Sequence, residues 1–349
     1  MYLCAMISDQ QNAMLPFLFN PWNDLALASN DPHYTPPASA RQMASELQPF
    51  FTAHLSSLTP HPVWGWSPLA VTKLREASVP AHALPSTEQM AAYRAASSRQ
   101  TAVCLLQRLR ATWPEPFEDG RLVGESRWCQ TEDEVQKAVA SFGGTAMLKA
   151  PWSGSGRGVK RFQISNPSSL NPHPSPWISR TLRTQGGVEV EPYYDKVQDL
   201  AMEFWAANGR VRYEGLSLFE TTTAGVYAGN LVASEEEKER RLAPYIDLDL
   251  LHELRHHLEV LLSEGIIPAW YTGPLGIDMM VVESIPHSSF AIRHSSYSLH
   301  PFLELNLRMT MGWVACRLSQ ELAKDETAIF RIDTSGGHYK AIFQKGESS

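Results

Sequence analysis

The segment Leu303-Glu304-Leu305-Asn306-Leu307-Arg308-Met309 carries an acid, an amide and a guanidinium at every second position. Along a strand, side chains alternate between two faces, so Leu303, Leu305, Leu307 and Met309 would enter a core. Glu304, Asn306 and Arg308 would then stand in a row, about 7 Å per step of two residues. The first two offer oxygens to a hard divalent cation, and the third offers a fork to a phosphate or carboxylate. A half-exposed edge strand with a solvated polar face would produce the same pattern.

A second acid lies upstream. The run Gly273-Pro-Leu-Gly-Ile-Asp278-Met-Met-Val-Val282 is almost continuously apolar and contains one carboxylate. An ionised carboxylate buried without a partner costs several kcal/mol, so Asp278 needs a cation, donors or a cavity wall. If 276–283 and 303–309 are neighbouring strands, Asp278, Glu304 and Asn306 converge as an oxygen-only set of the kind that suits Mg²⁺. A salt bridge from Asp278 to Arg308 or another arginine is the competing reading.

Further upstream, Lys149-Ala-Pro-Trp-Ser-Gly-Ser-Gly-Arg-Gly-Val159 places Gly154, Gly156 and Gly158 directly after a short apolar strand. Free N–H groups in such a loop can wrap a polyphosphate, and the strand-end lysine adds a point charge. The loop lacks the GxxxxGK[ST] pattern, and Val159 stands where GxGxxG requires glycine. A plain hairpin turn remains the alternative. One further motif reads as a decoy. His252-Glu253-Leu254-Arg255-His256 matches HExxH, but at about 100° per residue Leu251, Leu254, Leu258, Leu261 and Leu262 form one helical face and both histidines fall opposite it. No third ligand follows at the metalloprotease spacing, so a surface helix is expected there.

The elements that must hold these residues are legible in outline. Short strands are expected at 15–19, 63–66, 145–149, 187–191, 200–205, 211–218 and 276–283. An Ala-rich helical stretch covers 87–109, with Ser97-Ser98 as a cap. Thr131 and Glu134 form a capping box for a helix over 131–140. Residues 249–265 are the clearest amphipathic helix. The charge run at 235–241 reads as a solvated helix face with Glu236/Arg240 and Glu237/Arg241 at i,i+4. Proline-rich 166–176 and polar 284–300 read as loops, the latter joining two strands of a hairpin. Mixed helices and antiparallel strands imply an α+β fold.

Bulk properties exclude several classes. The 349 residues suffice for two or three domains, and 43% hydrophobic with 19% charged residues is ordinary globular composition. No apolar run reaches the roughly 18 residues of a membrane span. Residues 1–15 lack a basic start and do not read as a signal peptide. Cys4, Cys104, Cys129 and Cys316 are scattered without a CxxC pair, which suits a reducing cytoplasm. A net charge of −7 gives no global footprint for nucleic acid.

The order of these signals resembles the ATP-grasp superfamily, the fold of D-alanine–D-alanine ligase, biotin carboxylase and glutathione synthetase. A strand-end lysine and glycine loop come first, then Glu191-Pro-Tyr-Tyr, then Asp278, then Glu304-Leu-Asn306-Leu-Arg308, continued by Met-Thr-Met-Gly312. The resemblance covers roughly residues 97–322. It implies two α/β subdomains clamping a nucleotide (97–190 with the glycine loop, 191–349 with the metal site), preceded by a smaller α/β pre-ATP-grasp domain at 1–96. It also implies that Lys149 reaches the adenine edge and α-phosphate and that Ser153, Gly154, Ser155, Gly156 and Gly158 close over the β- and γ-phosphates. By the same resemblance Glu191 begins the hinge, backbone near Tyr193 reads adenine, Asp199 (Asp195 less favoured) holds the ribose, and Asp278, Glu304 and Asn306 hold Mg²⁺. Arg308 looks like the residue that steadies phosphate and an anionic intermediate. Where the family usually has a first nucleotide lysine, this chain has Ser98-Arg99-Gln100, so Arg99 is the expected substitute.

The implied activity is that of an ATP- and Mg²⁺-dependent carboxylate–amine ligase, with Mn²⁺ able to substitute. The γ-phosphoryl group passes to a substrate carboxylate, and an amine attacks the acylphosphate. Partners are then a small-molecule carboxylate and an amine, with no nucleic acid or membrane, and a homodimer is compatible. An ATP-grasp phosphotransferase and a nucleotide-binding module without turnover are the alternatives. The acceptor is unspecified. Phe19-Asn20-Pro21-Trp22-Asn23-Asp24 and His33-Tyr34-Thr35-Pro36 are dense in polar and aromatic groups, and ordinary turn chemistry is the favoured account of them, with substrate contact the alternative. Gly225-Val-Tyr227-Ala-Gly-Asn230 reads as either a cavity segment or a surface loop.

Overall fold

The structure is a computed structural model that describes residues 17–55, 63–154, 158–164, 175–222, 225–284 and 296–346. Six helices come first: α1 (Asn23–Ser29), α2 (Ala38–Leu55), α3 (Pro68–Glu76), α4 (Thr87–Ala96), α5 (Arg99–Thr112) and α6 (Glu115–Glu118). The strands β1 (Arg127–Cys129), β2 (Thr145–Lys149), β3 (Val159–Gln163) and β4 (Val188–Pro192) then form one antiparallel sheet in the order β1-β4-β2-β3. Helices α7 (Glu132–Ser141) and α8 (Pro176–Gln185) cover it.

The second sheet has seven strands: β5 (Lys196–Ala207), β6 (Arg210–Thr221), β7 (Tyr227–Val232), β8 (Gly273–Glu283), β9 (Tyr297–Asn306), β10 (Ala328–Asp333) and β11 (Lys340–Lys345). Their order is β11-β10-β7-β6-β5-β8-β9 and every pairing is antiparallel. The β5–β6 turn is Asn208-Gly209, with φ of 52° and 72°, the left-handed pair that a tight two-residue hairpin requires. Helices α9 (Glu235–Leu242), α10 (Leu248–Ser263) and α11 (Met311–Leu318) complete the chain.

Side-chain alternation divides each sheet into a core face and a polar face. In the large sheet Leu200, Met202, Phe204, Ile277, Met279 and Leu305 join Leu105, Leu106 and Leu109 of α5 and Leu251, Leu254 and Leu258 of α10 in one core. In the small sheet Ala146, Leu148, Val188 and Val190 pack on Val135, Ala138, Val139 and Ile178. The opposite faces are left to Lys149, Glu189 and Glu191 on one sheet and to Asp278, Glu304 and Asn306 on the other. The N-terminal region has no sheet of its own among the described residues. Phe17, Phe19, Leu47, Phe51 and Trp64 share a core with Met309, Trp313 and Phe330, and Leu27 and Trp66 join the main one.

The α+β reading agrees with this architecture, and several expectations change in detail. Among the described residues the strands expected at 15–19 and 63–66 reduce to one parallel bridge, Leu18 to Val63, and residues 15–16 lie outside the described ones. The stretch 87–109 is two helices broken at Ser97-Ser98, with the Ser98 hydroxyl accepting from Gln100 N. The Thr131/Glu134 capping box is present. Residues 297–300, expected in a loop, belong to β9, and 285–295 lie outside the described residues. So do 165–174, most of the expected proline-rich loop. Tyr227 and Asn230 lie in strand β7, paired with β6 and β10, and not in a surface loop. No helix among the described residues is long and apolar enough to cross a membrane.

Candidate functional site

The β8–β9 register sets Asp278 directly opposite Glu304 and Gly276 opposite Asn306. Side chains directly opposite in a ladder share a face, so the two carboxylates and the amide stand together. Burial first, and then the Glu304 charge, pushes the Asp278 carboxyl up to about 7, against the pull of Arg308 and of a hydrogen bond with Asn306. Like charges facing one another across a ladder are destabilising, and only a cation or a proton relieves them.

Two cations reach this face from the small sheet and from α5. Arg99, at the start of α5, is 4% exposed. Its guanidinium donates to Ala150 O at 2.7 Å, to Ser153 Oγ at 2.5 Å and to Ser153 O at 3.3 Å, and lies 2.7 Å from Glu304 Oε2. Lys149, at the end of β2, is buried, with Nζ 2.8 Å from Glu191 Oε1 and 4.0 Å from Glu189 Oε2. Nζ also donates to Leu303 O at 3.4 Å. Burial opposes charge on Lys149, but Glu189 and Glu191 outweigh it and hold its pKa above the ordinary value. Burial pushes the Glu191 carboxyl up to about 7 while Lys149 pulls it down. The register explains the cluster, since Lys149 faces Glu189 and Met147 faces Glu191 on one side of the sheet.

Arg308 sits differently from the sequence expectation. The strand ends at Asn306, not at Met309, and Arg308 N donates back to Asn306 O at 2.8 Å in a tight turn. The cause is competition for backbone partners: Met309 N donates to Trp64 O at 2.9 Å, and the Tyr93 hydroxyl donates to Leu307 O. Leu307 therefore joins the main core and Met309 the second one. The Arg308 side chain is held by Asp24 of α1, Nε to Oδ1 at 3.2 Å and Nη2 to Oδ2 at 3.0 Å. Asn23, Asp24, Ser97, Trp152, Ser153, Glu304, Asn306 and Arg308 line a small cavity of about 10 Å³.

The other expected residues are placed as follows. Ser153 is buried beside Arg99, and Gly154 packs so closely that a Cβ there would lie 2.5 Å from Asp24 Oδ2. Gly158, at φ +91°, accepts from Ala150 N at 2.8 Å and closes the β2–β3 hairpin. Ser155 and Gly156 lie outside the described residues. Tyr193 is partly exposed under the Arg161 guanidinium, 3.9 Å from the ring centroid. Asp199 stands two residues before Ala201, which faces Asp278 across β5–β8, and its carboxylate accepts from Lys196 and Thr221 on Oδ2. Asp195 is met through its carbonyl, which accepts from Glu283 N. His252 forms an exposed contact with Glu239 Oε1 at 2.7 Å, on the surface side of α10.

Sequence reasoning missed Glu203, which faces Gly276 across β5–β8 and is 1% exposed. Burial pushes its carboxyl up to about 8, opposed chiefly by a hydrogen bond from Thr310. A Cβ at Gly276 would lie 2.6 Å from its Oε2, and one at Gly312 would lie 2.1 Å from its Oε1. The available signal was an acid flanked by apolar residues in Leu-Ala-Met-Glu203-Phe-Trp, the same pattern that singled out Asp278. Lys238, expected on a solvated face, is buried on α9. Glu237 pairs with both Arg240 and Arg241, and Glu236 lies near Lys324.

The donor set Asp278, Glu304 and Asn306 is all oxygen, and its facing carboxylates fit a hard divalent cation that keeps some water. Among the described residues no group of three or more His, Cys, Asp or Glu side chains could hold a metal, so a cation here would rest on two carboxylates and one amide. Across the cleft, Lys149 and Arg99 supply two buried cations of the kind that suits a polyphosphate.

No protein-family model matches the chain, and no curated protein matches it in sequence. Solved structures resemble the chain at low identity and at TM-scores below 0.5. N5-carboxyaminoimidazole synthetase from Staphylococcus aureus, complexed with ADP, is 13% identical with a TM-score of 0.41, over 69% of this chain and 58% of that one. Pyruvate carboxylase from Rhizobium etli is 13% identical with a TM-score of 0.47, over 70% of this chain and 21% of that one. Biotin carboxylase from Campylobacter jejuni is 13% identical with a TM-score of 0.48, over 94% of this chain and 79% of that one. The chain thus spans less than two thirds of the length of the first two.

Proposed function

We propose that the chain is an ATP-grasp ligase that uses ATP and Mg²⁺ to activate a substrate carboxylate for attack by an amine. The observation that carries this reading is the in-register pair Asp278 and Glu304 with Asn306 beside them, facing a cleft that Arg99 spans to the glycine loop. Asp278, Glu304 and Asn306 would hold Mg²⁺, or Mn²⁺ in its place. When bound, the ion neutralises phosphate charge and orients the transferring group. Lys149 and Arg99, already buried and charged, meet phosphate oxygens without reorganisation, the condition under which electrostatic stabilisation is most effective. Ser153, Gly154, Ser155, Gly156 and Gly158 cover the β- and γ-phosphates. Glu191 and backbone near Tyr193 meet the base, and Asp199 meets the ribose.

The remaining work is positioning. The substrate carboxylate takes the γ-phosphoryl group, the amine attacks the resulting acylphosphate, and ADP and phosphate leave. Arg308 neutralises the anionic intermediate. No side-chain nucleophile is needed. The test is phosphate release from ATP with Mg²⁺ over a panel of carboxylates and amines. Expected results are free phosphate from the wild type, none from Asn306→Ala, and an unchanged melting profile for that variant. A phosphorylated product in place of free phosphate would make the enzyme a phosphotransferase. Absence of any ATP or ADP binding would overturn the nucleotide reading itself.

A further inference from the structure

The segment Asn20-Pro-Trp-Asn-Asp24 has the composition of an ordinary turn, yet its amides are fully buried. Asn20 Nδ2 donates to Gly65 O at 2.9 Å, and Gly65 N donates to Asn20 Oδ1 at 3.2 Å. The Asn23 amide, turned so that its nitrogen faces the carbonyls, donates to Gly65 O and Trp66 O at 2.9 Å. Buried amides satisfied in this way hold one backbone arrangement, because any other leaves them unpaired. What they hold in place is the next residue, Asp24.

Two separate elements converge on Asp24, and a third packs against its partner Arg308. Its carboxylate takes Arg308 in a two-pronged grip at 3.0 and 3.2 Å. Gly154 of the glycine loop approaches Oδ2 so closely that a Cβ there would lie 2.5 Å from it, and Asp24 would have to shift its grip on Arg308 to admit a side chain. Gly65 packs against the stem of Arg308, where a Cβ would lie 3.0 Å from Arg308 Cβ and 2.7 Å from Asn23. Arg308 needs such support, because it stands beyond the end of β9 and the ladder does not orient it. Its remaining hydrogen bond, Nη1 to Met309 O at 3.2 Å, is to its own neighbour.

We infer that Asp24 is the positioning residue of the site: it aims Arg308 at the terminal phosphate of the nucleotide and ties that aim to the seating of the glycine loop. This rests on the nucleotide reading above. A guanidinium clamped along one edge by a rigid carboxylate loses little further freedom on meeting an anion, whereas a free arginine must be ordered first. The contribution is therefore specific to ligands that reach Arg308. Adenine, ribose and the inner phosphates lie on the other groups and should not register it.

The test uses the full chain with Mg²⁺ and two probes, ADP and the non-hydrolysable β,γ-imido analogue of ATP, each titrated by calorimetry. Asp24→Asn should weaken the analogue about tenfold, leave ADP within about twofold, and leave the melting temperature within a few degrees. Asp24→Glu should recover part of the loss. Combining Asp24→Asn with Arg308→Ala should weaken the analogue no more than Arg308→Ala alone, since one effect acts through the other. Equal weakening of both probes would mean a merely structural role and overturn the inference. Tighter analogue binding by Asp24→Asn would also overturn it, because Asp24 would then compete with phosphate for Arg308. A wild-type chain that binds neither probe overturns the nucleotide reading, and this inference with it.

Discussion

Replacing Asp278 by Asn should stabilise the metal-free protein while abolishing its response to Mg²⁺. The Asp278 carboxyl is moved from 3.8 to about 7, by burial first and then by Glu304. An anion disfavoured to that extent corresponds to roughly 4 kcal/mol. Asp278 keeps some exposure toward the cleft, so screening makes this an upper figure. The sign follows from linkage. Because the folded-state pKa is raised, wild-type Asp278 costs nothing below about pH 4, costs progressively more up to pH 7, and costs the full amount above. The advantage of Asn therefore appears between pH 4 and 7 and is complete at pH 8. In EDTA at pH 8 the Asp278→Asn protein should melt several degrees above wild type, and at pH 4 the two should coincide. Adding Mg²⁺ should raise the wild-type melting temperature, more at pH 8 than at pH 6, because binding requires the ionised carboxylate. Asp278→Asn should show no such rise. A variant less stable than wild type at pH 8 in EDTA, or one that keeps the Mg²⁺ response, would refute the reasoning.

Glu203→Gln has the same sign in a shifted window: with the carboxyl pushed up to about 8, mainly by burial, the gain over wild type should grow from about pH 4.5 to pH 8 and then level off in a series of denaturant melts. Gly312→Ala places a methyl 2.1 Å from Glu203 Oε1 and 2.6 Å from Ser217 Oγ, and should cost about 1–3 kcal/mol of unfolding free energy as an overpacked site; a neutral result would show that α11 shifts freely. The double change His252→Ala with His256→Ala removes only surface groups, including the contact to Glu239, and should leave stability within about 0.5 kcal/mol. Elemental analysis should find no zinc in the wild type, and a stoichiometric zinc lost on that double change would reinstate the HExxH reading.

Much of the site is written in local pattern. Two-residue alternation groups Glu304 with Asn306, and one acid in an apolar run marks Asp278 as a residue in need of a partner. The same criterion applied to Glu203 would have found it, but that segment carries no accompanying motif. Lys238 escaped notice because its neighbours, Glu235 to Arg241, are charged and surface-like, and its burial follows from the packing of α9 against the sheet. Short aromatic runs such as Leu-Phe-Asn and Val-Trp-Gly-Trp suit a strand and a core-facing turn equally, and alternation alone does not separate the two.

By itself the sequence determined which side chains share a face, where helices begin, and that two acids, an amide and a glycine-rich segment occur in one chain. These follow from covalent geometry and capping, which reach only a few residues along the backbone. Only the tertiary structure decided that Asp278 meets Glu304, that Arg99 joins Glu304 to Ser153, and that Arg308 leaves the strand for Asp24, 284 positions away. Register and long-range ion pairs are set by competition among distant backbone and core partners, here Trp64 and Tyr93 against the β9 ladder. No local spacing encodes that competition.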